Sequence, residues 1–318
     1  MKLCDMVYDF KFKNIRLHGV ETNFDYFEIN NVTYQAIPLD AMDSEKGLGI
    51  NSSVFQAIRE DGDTSETTIL KICNYAEENT IPKTVARRKR FLREIEAMQL
   101  ALEKGKQNLV VVLKGYGEIK AKTERGDRTF KCFLMETASC NLKEFLDAEI
   151  DISLQQRLVL CAALIRSVHA LHDIGIYHRD IKPENIFLCD GAWKIGDLGL
   201  AIFRYDDSEA ESREKIGPPK WMSPEAFNKA YCISRPANNF IDRAIDERSD
   251  VYQLGKVCWH VIQGDIPNGC LKSRDLVEGG GHLFGSFLKP MLRYQRAERP
   301  LLSELEERLM PLIQAHSA

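Results

Sequence analysis

A chain of 318 residues is long enough for one large domain or two modest ones. With 44% hydrophobic and 28% charged residues it has the composition of a globular protein that buries a real core, and its net charge of -4 gives it no general attraction to nucleic acid or an anionic membrane. The longest apolar run, LVLCAALI at residues 158–165, falls far short of the roughly 18 residues that span a bilayer, and nine cysteines without CxxC spacing speak against zinc or a disulfide framework. The N-terminal MKLCDMVYDF turns polar too early for a secretion signal, so a soluble cytoplasmic protein with reduced thiols is expected.

Residues 1–33 mix charged and aromatic residues without a clear period, and read either as extra strands on the following region or as a partner-binding arm. A strand-like run at 32–39 leads to GLGINSSVFQAI, where Gly47, Gly49 and Ser52 hold the spacing of G-x-G-x-x-G. No helix pattern opens directly behind it, which speaks against a dinucleotide-binding βαβ unit. TTILKIC follows, a strand with a single Lys71; a lysine in so apolar a run is unusual unless its ammonium meets anions. In RRKRFLREIEAMQLALEK, Phe91, Ile95 and Met98 mark the buried stripe of a helix. Glu94 lies on that stripe, whereas Glu96 points about 200° away from it. The run Arg87 to Arg90 reads as a solvated helix face. LVVVLKGYGEI and TFKCFLMETA read as strands joined by TERGDR, NLKEFLDAEI as a helix, and Leu158, Cys161, Ile165, Val168 and His172 as one face of a long helix. His169 and His172 fall inside that helix, which argues against a metal site shared with His178.

The most informative stretch is YHRDIKPENIFLCDGAWKIGDLG, residues 177–199. Asp190-Gly191 is a two-residue hairpin signal; counting outward places Asn185 opposite Gly196, beside Asp197. Upstream, Asp180 sits in a loop stiffened by Pro183, with Lys182 two residues on. Two oxygen ligands at fixed spacing, a third carboxylate within reach and an adjacent cation suit divalent-metal and phosphate chemistry.

This stretch resembles the HRD-x-K-x-x-N and DFG signatures of the protein kinase family, with Leu198 in place of the Phe. The resemblance spans roughly residues 34 to 312 and implies an α+β, two-lobed fold: residues 34–137 an antiparallel sheet with one helix, residues 138–318 a larger, mainly helical lobe, and 1–33 an N-terminal extension. It implies ATP and Mg2+ as cofactors. Asp180 would accept the proton of the attacking hydroxyl, Lys182 would neutralise the phosphoryl group in flight, and Asn185 and Asp197 would hold the metal. Lys71 would bind the α- and β-phosphates and pair with Glu94. Gly47, Gly49 and Ser52 would cover the phosphates. Val54 would pack on the adenine, and Ile69, larger than the family's usual Ala, would tighten its pocket. Met135 would be the gatekeeper, Glu136 to Ala138 the hinge meeting the adenine edge, and Phe187 a further nucleotide-binding position.

Beyond this, the polar, acidic AIFRYDDSEAESREKI resembles an activation segment, with Tyr205, Ser208 and Ser212 as candidate acceptors and Arg179 as the residue that grips a phosphate. It closes in GPPKWMSPE, and Arg299 of QRAERP would pair with Glu225. AYCISRPANNFIDRAI is an insertion used for docking or a longer loop. Lys182 is the serine/threonine pattern, whereas Pro218 and PKWMSPE resemble the substrate loop of tyrosine kinases. The expected activity is phosphorylation of serine and threonine in protein substrates, the chain itself included, with no nucleic-acid or membrane partner. The alternatives are a tyrosine or dual-specificity kinase and, of another class, a pseudokinase scaffold. Pseudokinases usually lose the lysine, an aspartate or the asparagine, and none is missing here. Small-molecule kinases lack the closing S-P-E and its arginine. The sequence carries no signal for oligomeric state. Lys71→Ala is expected to abolish transfer and leave the fold intact.

Overall fold

The computed structural model describes residues 6–9, 14–17, 25–40, 47, 51–61, 67–123, 126–148, 151–206, 220–231, 242–267, 269, 271–276 and 280–315. The chain forms two compact units, Met1–Leu102 with Val111–Thr137, and Glu103–Val110 with Ala138–Ala318. The first is built on a six-stranded antiparallel sheet of β3 (Asp25–Ile29), β4 (Val32–Ile37), β5 (Ser52–Arg59), β6 (Thr67–Cys73), β7 (Leu113–Ala121) and β8 (Arg128–Glu136), in the order β3-β4-β5-β6-β8-β7. Asn30 and Asn31 join β3 to β4 with φ of 53° and 62°, the left-handed pair that a two-residue hairpin requires.

Strand alternation gives this sheet two different faces. Phe55, Ala57, Leu70, Ile72, Cys132 and Leu134 enter one core together with Phe27 and Ile29. Met6, just ahead of β1 (Val7–Asp9), and Ile15 of β2 (Asn14–Arg16) complete it, and the two strands pair with each other. Strands β1 and β2 therefore pack on the sheet, while β3 and the start of β4 belong to it. The Ile15 N–H donates to Ser53 Oγ at 3.0 Å, and Tyr8 stacks on Phe130 with centroids 5.5 Å apart. Extension and sheet are one packing unit, and a boundary after residue 33 falls inside β4.

Helix α1 (Pro82–Glu103) begins five residues ahead of the arginine run, with proline at its first position, where a missing N–H costs nothing. Phe91, Glu94, Ile95 and Met98 are buried and Glu96 is exposed. Arg87 and Arg88 are not the solvated pair that a charge run suggests. Arg87 donates to the Tyr75 hydroxyl, and Arg88 donates to the carbonyls of Ala76 and Asn79, closing the loop that leads into the helix.

In the second unit, Leu109 and Val110 do not start β7. The Ile195 N–H donates to the Leu109 carbonyl at 3.0 Å, and Val110 bridges Ile195 in parallel. An unbroken apolar run carries no signal for where pairing begins. Asn141 with Glu144 caps α2 (Leu142–Asp147), and Ser153 with Gln156 caps α3 (Leu154–Asp173), each as a reciprocal capping box. Leu158, Cys161, Ile165, Val168 and His172 are the buried face of α3. After α4 (Pro224–Tyr231), helix α5 (Glu247–Gln263) runs through the core. Its Gly255 admits close contact, since a Cβ there would lie 2.8 Å from that of Met291. The helix Leu302–Ala315 closes the chain, with Glu306 accepting from Arg166 at 2.7 Å. No described helix is long and apolar enough to cross a membrane.

Candidate active site

In the first unit, Val54, Lys71 and Phe133 are direct cross-strand neighbours, as are Gln56, Ile69 and Met135 two residues along. Directly paired residues share a face. Ser52, Val54, Ile69, Lys71 and Met135 thus lie on the face opposite the core of Phe55 and Leu70. Helix α1 covers part of it: the Phe91 and Phe133 rings lie 5.2 Å apart, and one turn on, both oxygens of Glu94 accept from Lys71 Nζ at 2.8 and 2.9 Å. The Lys71 side chain is 13% exposed and that of Glu94 4%, so the pair is largely shielded from solvent screening.

Gly47 has φ +86°, and its carbonyl accepts the Val54 N–H at 2.9 Å. A Cβ there would sit 2.6 Å from both Leu39 Cδ1 and the Val54 carbonyl, so only glycine fits. Gly49 lies outside the described residues. At the hinge, the Glu136 N–H donates to the Val112 carbonyl at 3.0 Å and its side chain accepts the Val112 N–H at 2.8 Å. That N–H is thereby engaged within the sheet unit. Ala138 and Phe187 are half-buried in the second unit, Phe187 on the strand Ile186–Cys189 opposite Asn141.

There the hairpin of Ile186–Cys189 and Ala192–Ile195 turns on Asp190 and Gly191, whose φ values of 49° and 76° suit the turn; Cys189 faces Ala192 and the Gly196 N–H donates to the Asn185 carbonyl at 2.9 Å. Asn185 Nδ2 donates to the Asp180 carbonyl at 2.9 Å and to its Oδ2 at 3.1 Å, and Lys182 Nζ donates to the same Oδ2 at 2.9 Å. Asp180 is 6% exposed, and among the described residues its buried Oδ1 has no hydrogen-bond partner. One carboxylate oxygen is fixed by two donors and the other is left for a proton donor from outside. Burial pushes the Asp180 carboxyl above the usual aspartate value, Lys182 beside it pulling back only in part, and the charge of Asp197 adds to the rise.

The residues that hold this loop were not legible as site residues. Asp250 of α5, wholly buried, accepts the N–H groups of His178 and Arg179, each at 2.7 Å, and pairs with His172 Nε2 at 3.0 Å. Gln253, one turn on, accepts the Ile181 N–H and donates to the Arg179 carbonyl. These bonds hold Arg179 at φ 66°, a left-handed conformation that costs about 1–3 kcal/mol in a non-glycine residue. Asp197 is likewise left-handed at φ 53°. A hint lay in the sequence: Asp250 and Gln253 are polar residues one turn apart on a helix that also buries Val251, Leu254, Val257 and Cys258.

Asn185 and Asp197 supply hard oxygen donors, which suit Mg2+, a cation that keeps water and phosphate oxygens in its shell. With both amide hydrogens of Asn185 on Asp180, its side-chain oxygen is the atom available to a cation. No cluster of three or more His, Cys, Asp or Glu able to hold a metal occurs among the described residues.

Glu225 and Arg299 form a doubly hydrogen-bonded pair, at 2.7 and 2.8 Å, with side chains 1% and 0% exposed; Ser249 adds a bond to Glu225 at 2.6 Å. Ser208, Ser212 and Pro218 lie outside the described residues, as does most of the 230–245 insertion. Tyr205 is 94% exposed.

Residues 42–313 match the family model of the protein kinase domain. The serine/threonine-protein kinase WNK of Caenorhabditis elegans is 27% identical over 230 residues, 71% of this chain and 11% of that protein. The serine/threonine-protein kinase A-Raf of Mus musculus is 33% identical over 169 residues, 45% and 26% of the two chains. The dual specificity protein kinase TTK of Mus musculus is 29% identical over 135 residues, 42% and 16%. The matched stretches thus cover about a quarter or less of these relatives.

Proposed function

Because the chain belongs to the protein kinase domain family, we propose that it transfers the γ-phosphoryl group of ATP to serine and threonine hydroxyls of proteins, its own among them. The observation that carries this reading is the Asp180 carboxylate, with Oδ2 held by Lys182 and Asn185 and Oδ1 buried without a partner among the described residues. Such an oxygen accepts the proton of a hydroxyl, and a carboxyl raised by burial is the better base near neutral pH. Lys182 lies beside it as the cation for the phosphoryl group in flight. Lys71, oriented by Glu94, takes the α- and β-phosphates. Asn185 and Asp197 would hold Mg2+, which would supply neutralisation of phosphate charge there. Ser52, Val54, Ile69 and Met135 share the sheet face of Lys71, which suits a nucleotide base.

Lys182 on the Asp180 carboxylate favours serine and threonine, as do the names of WNK and A-Raf. The name of TTK and the PKWMSPE loop keep dual specificity as the second reading. Acid hydrolysis of the protein labelled with [γ-32P]ATP and magnesium separates them: phosphoserine and phosphothreonine are expected, and predominant phosphotyrosine overturns that choice. We take residues 34–137 and 138–318 as the two lobes, with 1–33 as an extension whose described strands share the first lobe's sheet and core, and the cytoplasm as the setting. The free thiols of Cys73, Cys132, Cys140, Cys161, Cys189 and Cys258 suit a reducing compartment.

A further inference from the structure

Helix α5 carries a lysine on its buried side that has no counter-ion among the described residues. Lys256 is 9% exposed, follows Gly255 in the most buried stretch of the helix, and donates from Nζ to the main-chain carbonyl of Lys220. That carbonyl engages one of three N–H donors and does not neutralise the charge. Burial draws the Lys256 pKa below the ordinary lysine value, and no carboxylate among the described residues pulls it back. By contrast the buried Arg299 is paired with Glu225, and the largely shielded Lys71 with Glu94. A buried ammonium left in this state is costly unless an anion joins it.

One turn on, His260 lies on the same side of the helix. Its ring packs at 6.1 Å and 61° against Trp221, the residue after Lys220, and its buried Nδ1 has no hydrogen-bond partner among the described residues. Two neighbouring side chains of one helix thus lie beneath Lys220 and Trp221, each with hydrogen-bonding capacity unused. Lys220 and Trp221 belong to the stretch PKWMSPE, which resembles the substrate-facing loop of tyrosine kinases.

We propose that Lys256 and His260 form a recognition site for an anionic side chain, a carboxylate or a phosphate, of the protein substrate docked on the loop that includes Lys220 and Trp221. This rests on the kinase reading for the identity of the docked molecule. The same anion could come instead from the chain's own acidic segment or a phosphate on it, and the experiment tells these sources apart.

Fluorescent serine peptides identical except for asparagine, aspartate or phosphoserine at the three positions after the acceptor are titrated against the full chain by anisotropy, a readout that needs no catalysis. A charged hydrogen bond contributes about 1.5–3 kcal/mol, roughly ten- to a hundredfold in Kd, so anionic peptides should bind at least about tenfold tighter to wild type. Lys256→Gln keeps a donor for the Lys220 carbonyl but not the charge, and should bring the ratio close to one, whereas Lys256→Arg should keep it. If Lys256→Gln does not fold, His260→Gln is the arm to read, and it should narrow the gap severalfold. Equal Kd values for all peptides on wild type overturn the proposal, including the case where dephosphorylation of the chain then shifts the melting of wild type but not of Lys256→Gln, which assigns the anion to the chain itself. An undiminished preference in Lys256→Gln or His260→Gln overturns it as well. Failure of phosphoryl transfer alone, with the binding preference intact, counts against the kinase reading and leaves the anion site supported.

Discussion

His178 joins the loop of Asp180 to the corner of Asp197. The Asp180 N–H donates to His178 Nδ1 at 3.2 Å, so Nε2 carries the ring proton and donates it to the Gly196 carbonyl at 2.9 Å. The ring is wholly buried. His178→Phe keeps its volume and removes both bonds. With a buried N–H and a buried C=O left unsatisfied, unfolding free energy should fall by about 2 kcal/mol in a urea titration. A loosened Asp180 should also lower kcat at least about tenfold. Unchanged kcat would mean that the bridge is purely structural.

The Lys71–Glu94 pair changes the expectation for Lys71→Ala. From sequence alone the substitution removes a phosphate contact and spares the fold. In the structure it also deprives a carboxylate 4% exposed of its ammonium, which for a buried pair costs about 3–5 kcal/mol. We expect loss of transfer together with a melting temperature lowered by several degrees, partly recovered in Lys71→Ala/Glu94→Gln. Calorimetry of the two variants checks this, and wild-type melting of Lys71→Ala would contradict it.

Glu225 and Arg299 make stability depend on acid. Burial by itself raises the Glu225 pKa, but the guanidinium outweighs it and the net shift is downward. A depressed folded pKa means that the contribution is present above the unfolded value of about 4.3 and is lost as pH falls through the folded value. Arg299→Met should therefore destabilise at pH 7 by about 3–5 kcal/mol and flatten the loss of stability below about pH 5. Urea midpoints from pH 7 to 3 measure both effects.

Much of this site is legible before any coordinates. The Asp190-Gly191 turn admits one tight register, and that register puts Asn185 beside Gly196; helical period separates Glu94 from Glu96. Other parts leave no local trace. Asp250 lies about 70 residues beyond the backbone it holds, and nothing in its own neighbourhood says that a left-handed Arg179 needs it. The N-terminal strands have no clear period because they are short and each pairs over only three residues. Arg87 and Arg88 look solvated because a charge run does not show which carbonyls await it.

Asp180 sets a further expectation. Its carboxyl is raised by burial, so the acid limb of kcat/KM should fall above the pH of about 3.9 at which an ordinary aspartate protonates. Lys182→Met should move that limb higher still, since Lys182 is the main influence holding the carboxyl ionised. A limb unmoved by Lys182→Met would separate the limb from Asp180.

The central claim is that Asp180 Oδ1 takes the proton of an attacking hydroxyl. It is tested most directly by single-turnover transfer from radiolabelled magnesium ATP to a generic protein substrate, wild type against Asp180→Asn. The account predicts transfer by wild type and a rate lower by roughly 10²- to 10⁴-fold in the variant; equal rates, or no transfer by either protein, would contradict it.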